Sequence, residues 1–163
     1  MNKNLLISNL IGGPLVLFTY YKYLGGAIKK GITSDQLWAN IKGKSRNFYY
    51  LSMLLSVISY LYLFYFLVFK NQDKSQKPLI GTIIFFVGAS LWAPFLYNHF
   101  VNKMNKTYTY LSLSLTSIGI LTLFLYLMKK EDIMSKVAIS IFLFHILVLD
   151  NIIWSINFNK VKN

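Results

Sequence analysis

The sequence places three ionisable side chains, those of His99, His145 and Asp150, within runs of mostly apolar residues. The remaining acidic side chains lie between these runs: Asp35, Asp73, Glu131 and Asp132. A carboxyl group in apolar surroundings either gains a polar partner or stays protonated, because desolvation disfavours its charged form. Asp150 is therefore the first candidate for proton or cation chemistry.

The apolar runs that carry these residues are long enough to cross a lipid bilayer. Of the 163 residues, 55% are hydrophobic and 13% are charged, which is about half the charged fraction of a soluble domain. A bilayer core of roughly 30 Å needs about 20 apolar residues in a helix. The sequence predicts an all-α, polytopic transmembrane helix bundle with five spans, at residues 5–24, 48–69, 79–101, 108–128 and 135–156.

The first predicted span has competing interpretations, because it contains Asn9, Pro14 and Lys22. A signal peptide is one of them, but no small-residue cleavage site follows the segment. We expect a retained helix that is kinked near Pro14. The alternative is a four-span bundle preceded by a kinked amino-terminal segment.

Residues 25–46 form the long connection of what is predicted to be a single integral membrane domain over residues 1–163. Apolar residues recur in it at near-helical spacing, among lysines: Ile28, Ile32, Leu37, Trp38 and Ile41. This pattern fits a helix lying in the membrane interface. It fits a plain basic loop equally well.

The 17 lysine and arginine residues outnumber the 5 acids, which gives a net charge of +12. They fall almost entirely between the apolar runs, so we expect them to contact anionic lipid head groups and not nucleic acid. With five spans, ten of them lie on the side of the long loop and seven on the other side. This small bias favours a cytoplasmic loop and carboxyl terminus in a multi-pass integral membrane protein.

Asp150 is predicted to lie about six residues, or roughly 9 Å, inside the end of the last span. Asn98 and His99 fall at a similar depth in the third span, and Asn151 is adjacent to Asp150. These residues together predict a polar site for an ion or a proton. The alternative is a hydrogen-bonded contact that joins two helices.

His145 is also an intramembrane polar residue, but we expect it to point away from Asp150. Five residues of α-helix correspond to a rotation of about 140°, so the two side chains should not share a face. We expect His145 to form a hydrogen bond with a neighbouring helix. It has no second histidine at metal-ligand spacing.

Motifs for enzymatic chemistry are missing from the sequence. It has no cysteine, no G-x-S-x-G elbow, no phosphate-binding glycine loop and no H-E-x-x-H motif. We expect no enzymatic activity, no metal site and no resident cofactor. The hydroxyl residues of the second and fourth spans are expected to let helices approach closely, and they include Ser52, Ser56, Ser59, Ser112 and Thr116.

Three short motifs resemble parts of a known family. They are Ser59-Tyr60-Leu61, the stretch Leu91-Trp92-Ala93-Pro94-Phe95-Leu96-Tyr97, and Leu149-Asp150-Asn151-Ile152-Ile153-Trp154-Ser155-Ile156-Asn157. The last of these is similar to the L-N-x-x-x-W-x-x-N signature of the translocator protein family, the tryptophan-rich sensory proteins, with Asp150 in place of asparagine. The resemblance implies a five-helix bundle with a pocket for a porphyrin, a sterol or a similar flat apolar ligand. The implied lining is Trp92, Phe95, Asp150, Trp154 and Asn157.

Two functional hypotheses follow. The first is a non-enzymatic transport or sensing protein that binds a flat apolar ligand in an aromatic-lined pocket between helices. The alternative is a small ion or proton channel or carrier that uses Asp150 with His99 and Asn98. A homo-oligomer is compatible with both hypotheses, and a structural membrane component without a small-molecule site is a third.

Overall fold

The computed structural model describes residues 1–71, 73 and 75–161; it is 83% helical, with no strand in these ranges. Within them the chain forms α1 (Lys3–Thr19, Tyr20–Leu24 and Gly25–Lys29 in direct succession), α2 (Ser34–Leu37), α3 (Gly43–Lys70), α4 (Lys77–Asn102), α5 (Thr107–Leu127) and α6 (Ile133–Phe158). The helices α3 to α6 are long and apolar enough to cross a membrane. The prediction of an all-helical chain is confirmed, and four of the five predicted spans, at 48–69, 79–101, 108–128 and 135–156, coincide with these helices.

The ends of the long helices follow from local sequence signals. Pro78 occupies the first turn of α4, where its missing N–H has no intrahelical partner to lose. Lys103 ends that helix in a left-handed conformation, with φ of 57°. Asp132 caps α6 by accepting a 2.6 Å hydrogen bond from the backbone N–H of Ser135.

Small residues let α4 and α5 pack backbone against backbone. A Cβ atom added at Gly88 would lie 2.4 Å from the backbone nitrogen of Thr116, and one added at Gly119 would lie 2.4 Å from that of Phe85. Ser112 borders the same contact through its carbonyl oxygen. The expected role of Ser112 and Thr116 in close helix packing is thereby confirmed.

Helix α1 packs along α4 in the same direction. Gly12 lies against the ring of Phe86, and 14 residues later Gly26 lies against the ring of Tyr97. The helix begins beside the end of α3, where the backbone N–H of Asn2 donates a 2.8 Å hydrogen bond to the carbonyl of Val68. It continues through Pro14.

The bundle has two ends, each with a buried apolar cluster. The amino-terminal end carries Asn2, the end of α3 and the turn between α5 and α6, and its cluster includes Leu5, Leu67, Val68, Leu127 and Ile139. The loop end carries α2, the turn between α4 and α5 and the end of α6. Its cluster includes Leu96, Phe100, Leu149, Trp154 and Phe158.

The 25–46 connection contains two short helical stretches, Gly25–Lys29 and Ser34–Leu37, before α3 begins at Gly43. The first helix extends to Lys29, and α2 adds a single turn that opens with a capping box between Thr33 and Gln36. Asp35 forms ion pairs with Lys42 and Arg46, both at 2.7 Å. The hydrogen bonds that Lys42 and Arg46 donate lower the pKa of Asp35.

Candidate functional site

The segment Phe144–Trp154 of α6 is a π-helix, in which each backbone N–H bonds the carbonyl five residues earlier. Side chains five residues apart therefore lie on one face. His145 and Asp150 stand in this relation, and Nε2 of His145 lies 3.6 Å from Oδ2 of Asp150. The expectation that these side chains point apart is wrong, because it assumed the 3.6-residue period of an α-helix.

The imidazole of His145 bonds α3 through one nitrogen atom and lies beside Asp150 with the other. Nδ1 lies 3.0 Å from Oγ of Ser52 on α3, as expected for a histidine that bonds a neighbouring helix. The His145 side chain is 6% exposed and that of Asp150 is 31% exposed. Because Nε2 and Oδ2 are separated by slightly more than a hydrogen bond, a small movement or one bridging water brings the two groups into proton contact.

Asp150 faces α1 and α3 as well as its own helix. The hydroxyl groups of Tyr20 and Tyr49 lie within electrostatic reach of its carboxyl group. The Tyr49 hydroxyl also donates a 2.6 Å hydrogen bond to the carbonyl of Leu149, which ties α3 to the π-helix next to Asp150. In the part of the chain that the structure describes, Asp150 pairs with His145, and Tyr49 bonds the carbonyl of the residue before Asp150.

The adjacent Asn151 points to a different helix. Its Nδ2 donates a 2.9 Å hydrogen bond to Oγ of Ser117 on α5. This contact joins α6 to α5 and is the helix-to-helix contact that was the alternative interpretation of the polar residues in this span.

The other two residues predicted to join Asp150 bond elsewhere. Nδ1 of His99 lies 2.8 Å from the carbonyl of Met104, because the left-handed turn at Lys103 folds the chain back over the end of α4. Nδ2 of Asn98 donates a 2.9 Å hydrogen bond to the carbonyl of Pro94 in its own helix. In the described ranges neither side chain has a hydrogen bond or an ion pair with Asp150.

Two of the predicted ligand-binding aromatic residues meet close to this site. The rings of Trp92 and Trp154 are 5.6 Å apart, and Tyr20 lies 5.3 Å from Trp92. Trp154 stacks on Phe158 at 4.4 Å and donates a 3.1 Å hydrogen bond from Nε1 to the carbonyl of Leu37. The indole nitrogen of Trp92 is buried, and within the described ranges it has no hydrogen-bond partner.

The remaining predicted ligand-binding residues do not join this aromatic group. Phe95 packs on Tyr108 of α5, with ring centres 5.7 Å apart. Asn157 is half-buried and donates a 2.8 Å hydrogen bond to the carbonyl of Ile153 in its own helix. The five predicted residues therefore do not form one lining: Trp92 and Trp154 contact each other, whereas Phe95 packs on α5 and Asn157 bonds its own helix.

Three contributors to the site were not identified as site residues from the sequence: Tyr20, Tyr49 and Ser52. Tyr49 and Ser52 are three residues apart on the buried face of α3; Ser52 was interpreted as a packing residue and Tyr49 was not considered. Tyr20 belongs to the π-helical turn Tyr20–Leu24. The hydroxyl residues at helical spacing on α3 were the available signal for these contacts, but the sequence does not show which neighbouring helix they contact.

No protein-family model, no curated protein and no solved structure matches this chain. The resemblance to the translocator protein family stays a prediction that rests on the three short motifs.

Proposed function

We propose that this integral membrane protein binds and releases a proton at the His145–Asp150 pair, as the central step of a channel or carrier. The observation that carries the proposal is the 3.6 Å separation between an imidazole and a carboxyl group in an apolar helix bundle. Ionisable side chains at membrane depth are costly, and they mark ion and proton pathways. Local π-helical turns are also frequent at functional sites.

A proton suits this pair better than a metal ion does. Nδ1 of His145 is already engaged with Ser52, and one carboxyl group with one ring nitrogen leaves too few ligands for Ca²⁺, which takes six or more oxygens. A proton needs a single acceptor. It moves from Oδ2 of Asp150 to Nε2 of His145 and leaves a carboxylate beside an imidazolium. The proposed step makes no covalent bond to a substrate and needs no cofactor.

Infrared difference spectroscopy of the protein in lipid tests proton binding directly. We expect a band from a protonated carboxyl group that disappears as pH rises, is missing in Asp150→Asn and is shifted in His145→Gln. The variant Asp73→Asn is the control, because Asp73 lies outside the four long helices. An unchanged band in Asp150→Asn would assign the titration to another acid and exclude the pair.

A second candidate function is the binding of a flat apolar ligand, as the translocator resemblance implies. The specific observation in its favour is the buried indole N–H of Trp92, which has no acceptor and lies beside Trp154 and Tyr20. A porphyrin or a sterol with a polar edge would supply that acceptor. We expect such a ligand to raise Tm progressively as its concentration increases, and Trp92→Phe to weaken the shift. No shift with either compound class would argue against this candidate.

The proposed function places α1 across the membrane as a fifth span. Its support is the parallel contact with α4 from Phe86 to Tyr97 and the bond from Asn2 to the end of α3. Tyr20 then contributes to the site from within the bilayer. The amino and carboxyl termini lie on opposite sides, with the loop end in the cytoplasm by the lysine and arginine bias.

A further inference from the structure

The buried face of α3 carries a series of hydroxyl groups that starts at the site. Tyr49, Ser52, Ser56 and Ser59 are each at most 6% exposed, and their three- and four-residue spacing puts them on one side of the helix. Tyr60 follows. Between Tyr49 and Tyr60 the helix rises about 17 Å, which is more than half of a bilayer core of about 30 Å.

Ser56 occupies the middle of this series and lacks a partner. Its Oγ atom is buried and has no hydrogen-bond partner among the residues that the structure describes, whereas Ser52, one turn away, contacts Nδ1 of His145. Buried hydroxyl groups are nearly always hydrogen-bonded, because leaving one unpaired is costly. A water molecule or a transferred proton would satisfy Ser56 from within the hydroxyl series.

A small cavity extends the series toward the amino-terminal end. Its volume is about 20 Å³, which is room for one water molecule. Tyr60 donates a 2.8 Å hydrogen bond to Oδ1 of Asn9, and Thr82 lies in the same lining. A water in this cavity therefore meets polar groups from α1, α3 and α4.

We propose that the hydroxyl face of α3 and this cavity form a proton path from the His145–Asp150 pair to the opposite membrane face, which makes the protein a transmembrane proton conductor. The inference rests on the proposed function, because the path begins at that pair. Each oxygen along it accepts one proton and releases another.

The individual steps conserve protons and bonds. His145 receives a proton at Nε2 from Asp150 and releases the Nδ1 proton to the Ser52 hydroxyl. A water molecule between Ser52 and Ser56 takes up the proton that Ser52 releases and passes one on to Ser56, because the two hydroxyl groups share no direct hydrogen bond. The cavity water takes up the next proton beside Tyr60. Leu63 and Leu67 line the far side of the cavity, and hydration of this apolar stretch completes the path, as in channels that gate by wetting.

Proton flux into liposomes tests the path. A pH-sensitive dye is enclosed in the liposomes, and valinomycin with a potassium gradient across the membrane sets the potential that drives proton entry. We expect Ser56→Val and Asn9→Leu to lower flux by roughly tenfold or more, and Asp150→Asn to abolish it. The control is Thr122→Val, which removes an exposed hydroxyl that bonds its own helix on α5. Ser56→Ala serves as a second variant if the valine variant does not fold.

The infrared titration of Asp150 distinguishes the two proposals. Retained titration with reduced flux in Ser56→Val and Asn9→Leu supports the path. Flux equal to wild type in both variants overturns it, and so does a wild-type protein that titrates without conducting; in these cases proton binding at the pair still stands. A wild-type protein without an Asp150 titration instead removes the proposed function.

Discussion

At the scale of single residues, two neighbouring tryptophans differ in one hydrogen bond. Trp92 and Trp154 pack on each other at 5.6 Å, and Trp154 is 4% exposed. Only Trp154 donates its indole N–H, to the carbonyl of Leu37; that of Trp92 has no partner. Comparing substitutions at the two positions therefore measures how much one buried indole hydrogen bond contributes to the free energy of unfolding.

The variant Trp154→Phe should lower the free energy of unfolding by about 1 kcal/mol more than Trp92→Phe does. Both substitutions shrink an aromatic ring, but only the first leaves a carbonyl of the 25–46 connection unsatisfied. Thermal unfolding in detergent, together with the rate of proteolysis at residues 30–42, measures the difference. Equal losses in the two variants would contradict this assignment.

Asp73 accepts hydrogen bonds from Lys130 at 2.6 Å, Ser75 at 2.9 Å and Tyr126 at 3.0 Å. These bonds lower the pKa of Asp73 from 3.8 to about 2. A carboxyl group whose pKa is lower in the folded state stabilises that state above its unfolded pKa, and this contribution disappears as pH falls through the folded value.

We therefore expect a decrease in the Tm of wild-type protein between pH 4 and pH 2 that is slightly smaller in Asp73→Asn, because Asp35 still contributes to it in the variant. The effect is small because the ion pair is partly exposed, with the Asp73 side chain 38% exposed. Calorimetric scans of both proteins across this pH range measure it. An identical pH dependence in the two proteins would refute the role of Asp73.

At the scale of helices, the α4–α5 contact depends on two glycines, because a residue with a Cβ atom would not fit between the helices. Gly88 and Gly119 place each helix against the backbone of the other, where a neighbouring side chain has no freedom to move aside. Gly25 is the opposite case, because a Cβ atom added there would meet nothing within 4 Å.

The variant Gly88→Ala should destabilise the bundle by about 1–3 kcal/mol or more, since the added methyl group would lie 2.4 Å from the Thr116 nitrogen. Gly25→Ala should be neutral or stabilising by up to about 1 kcal/mol, because alanine favours a helix. The fraction of monodisperse protein after heating compares the two. A Gly88→Ala protein as stable as Gly25→Ala would exclude the close backbone contact.

At the scale of the whole molecule, the number of spans sets which ends of the helices share a side. An α1 that crosses the bilayer puts Lys3 with Lys129 at the amino-terminal end and Lys103 with Lys160 at the loop end. The sequence contains no cysteine, so a single introduced thiol reports its own side without background.

Labelling of Lys3→Cys, Lys103→Cys, Lys129→Cys and Lys160→Cys in intact vesicles with an impermeant maleimide should give two pairs. We expect the thiols introduced at positions 3 and 129 to be labelled from one side of the membrane. Those introduced at positions 103 and 160 should be labelled from the other side. Labelling of Lys3 and Lys160 from one side would exclude the five-span arrangement.

Prediction from the sequence succeeded where local composition carries the information. Apolar length located α3 to α6 to within a few residues, and Asp150 was singled out because it is the one acid in an apolar run. Prediction did not succeed where a partner lies on another helix. Ser52, 93 residues from His145, has nothing in its own neighbourhood to show that its hydroxyl meets an imidazole.

The sequence by itself indicated that the chain has apolar helices suited to a membrane, and that Asp150 is the residue most costly to place there. Both properties can be read from hydropathy and charge along a continuous stretch of sequence. Only the tertiary structure decided what surrounds Asp150. The π-helical register turns His145 toward it, and packing of α1 and α3 adds Tyr20, Tyr49 and Ser52. These relations depend on the hydrogen-bond period of one helix and on the faces that three helices share, and neither is a property of any local stretch of sequence.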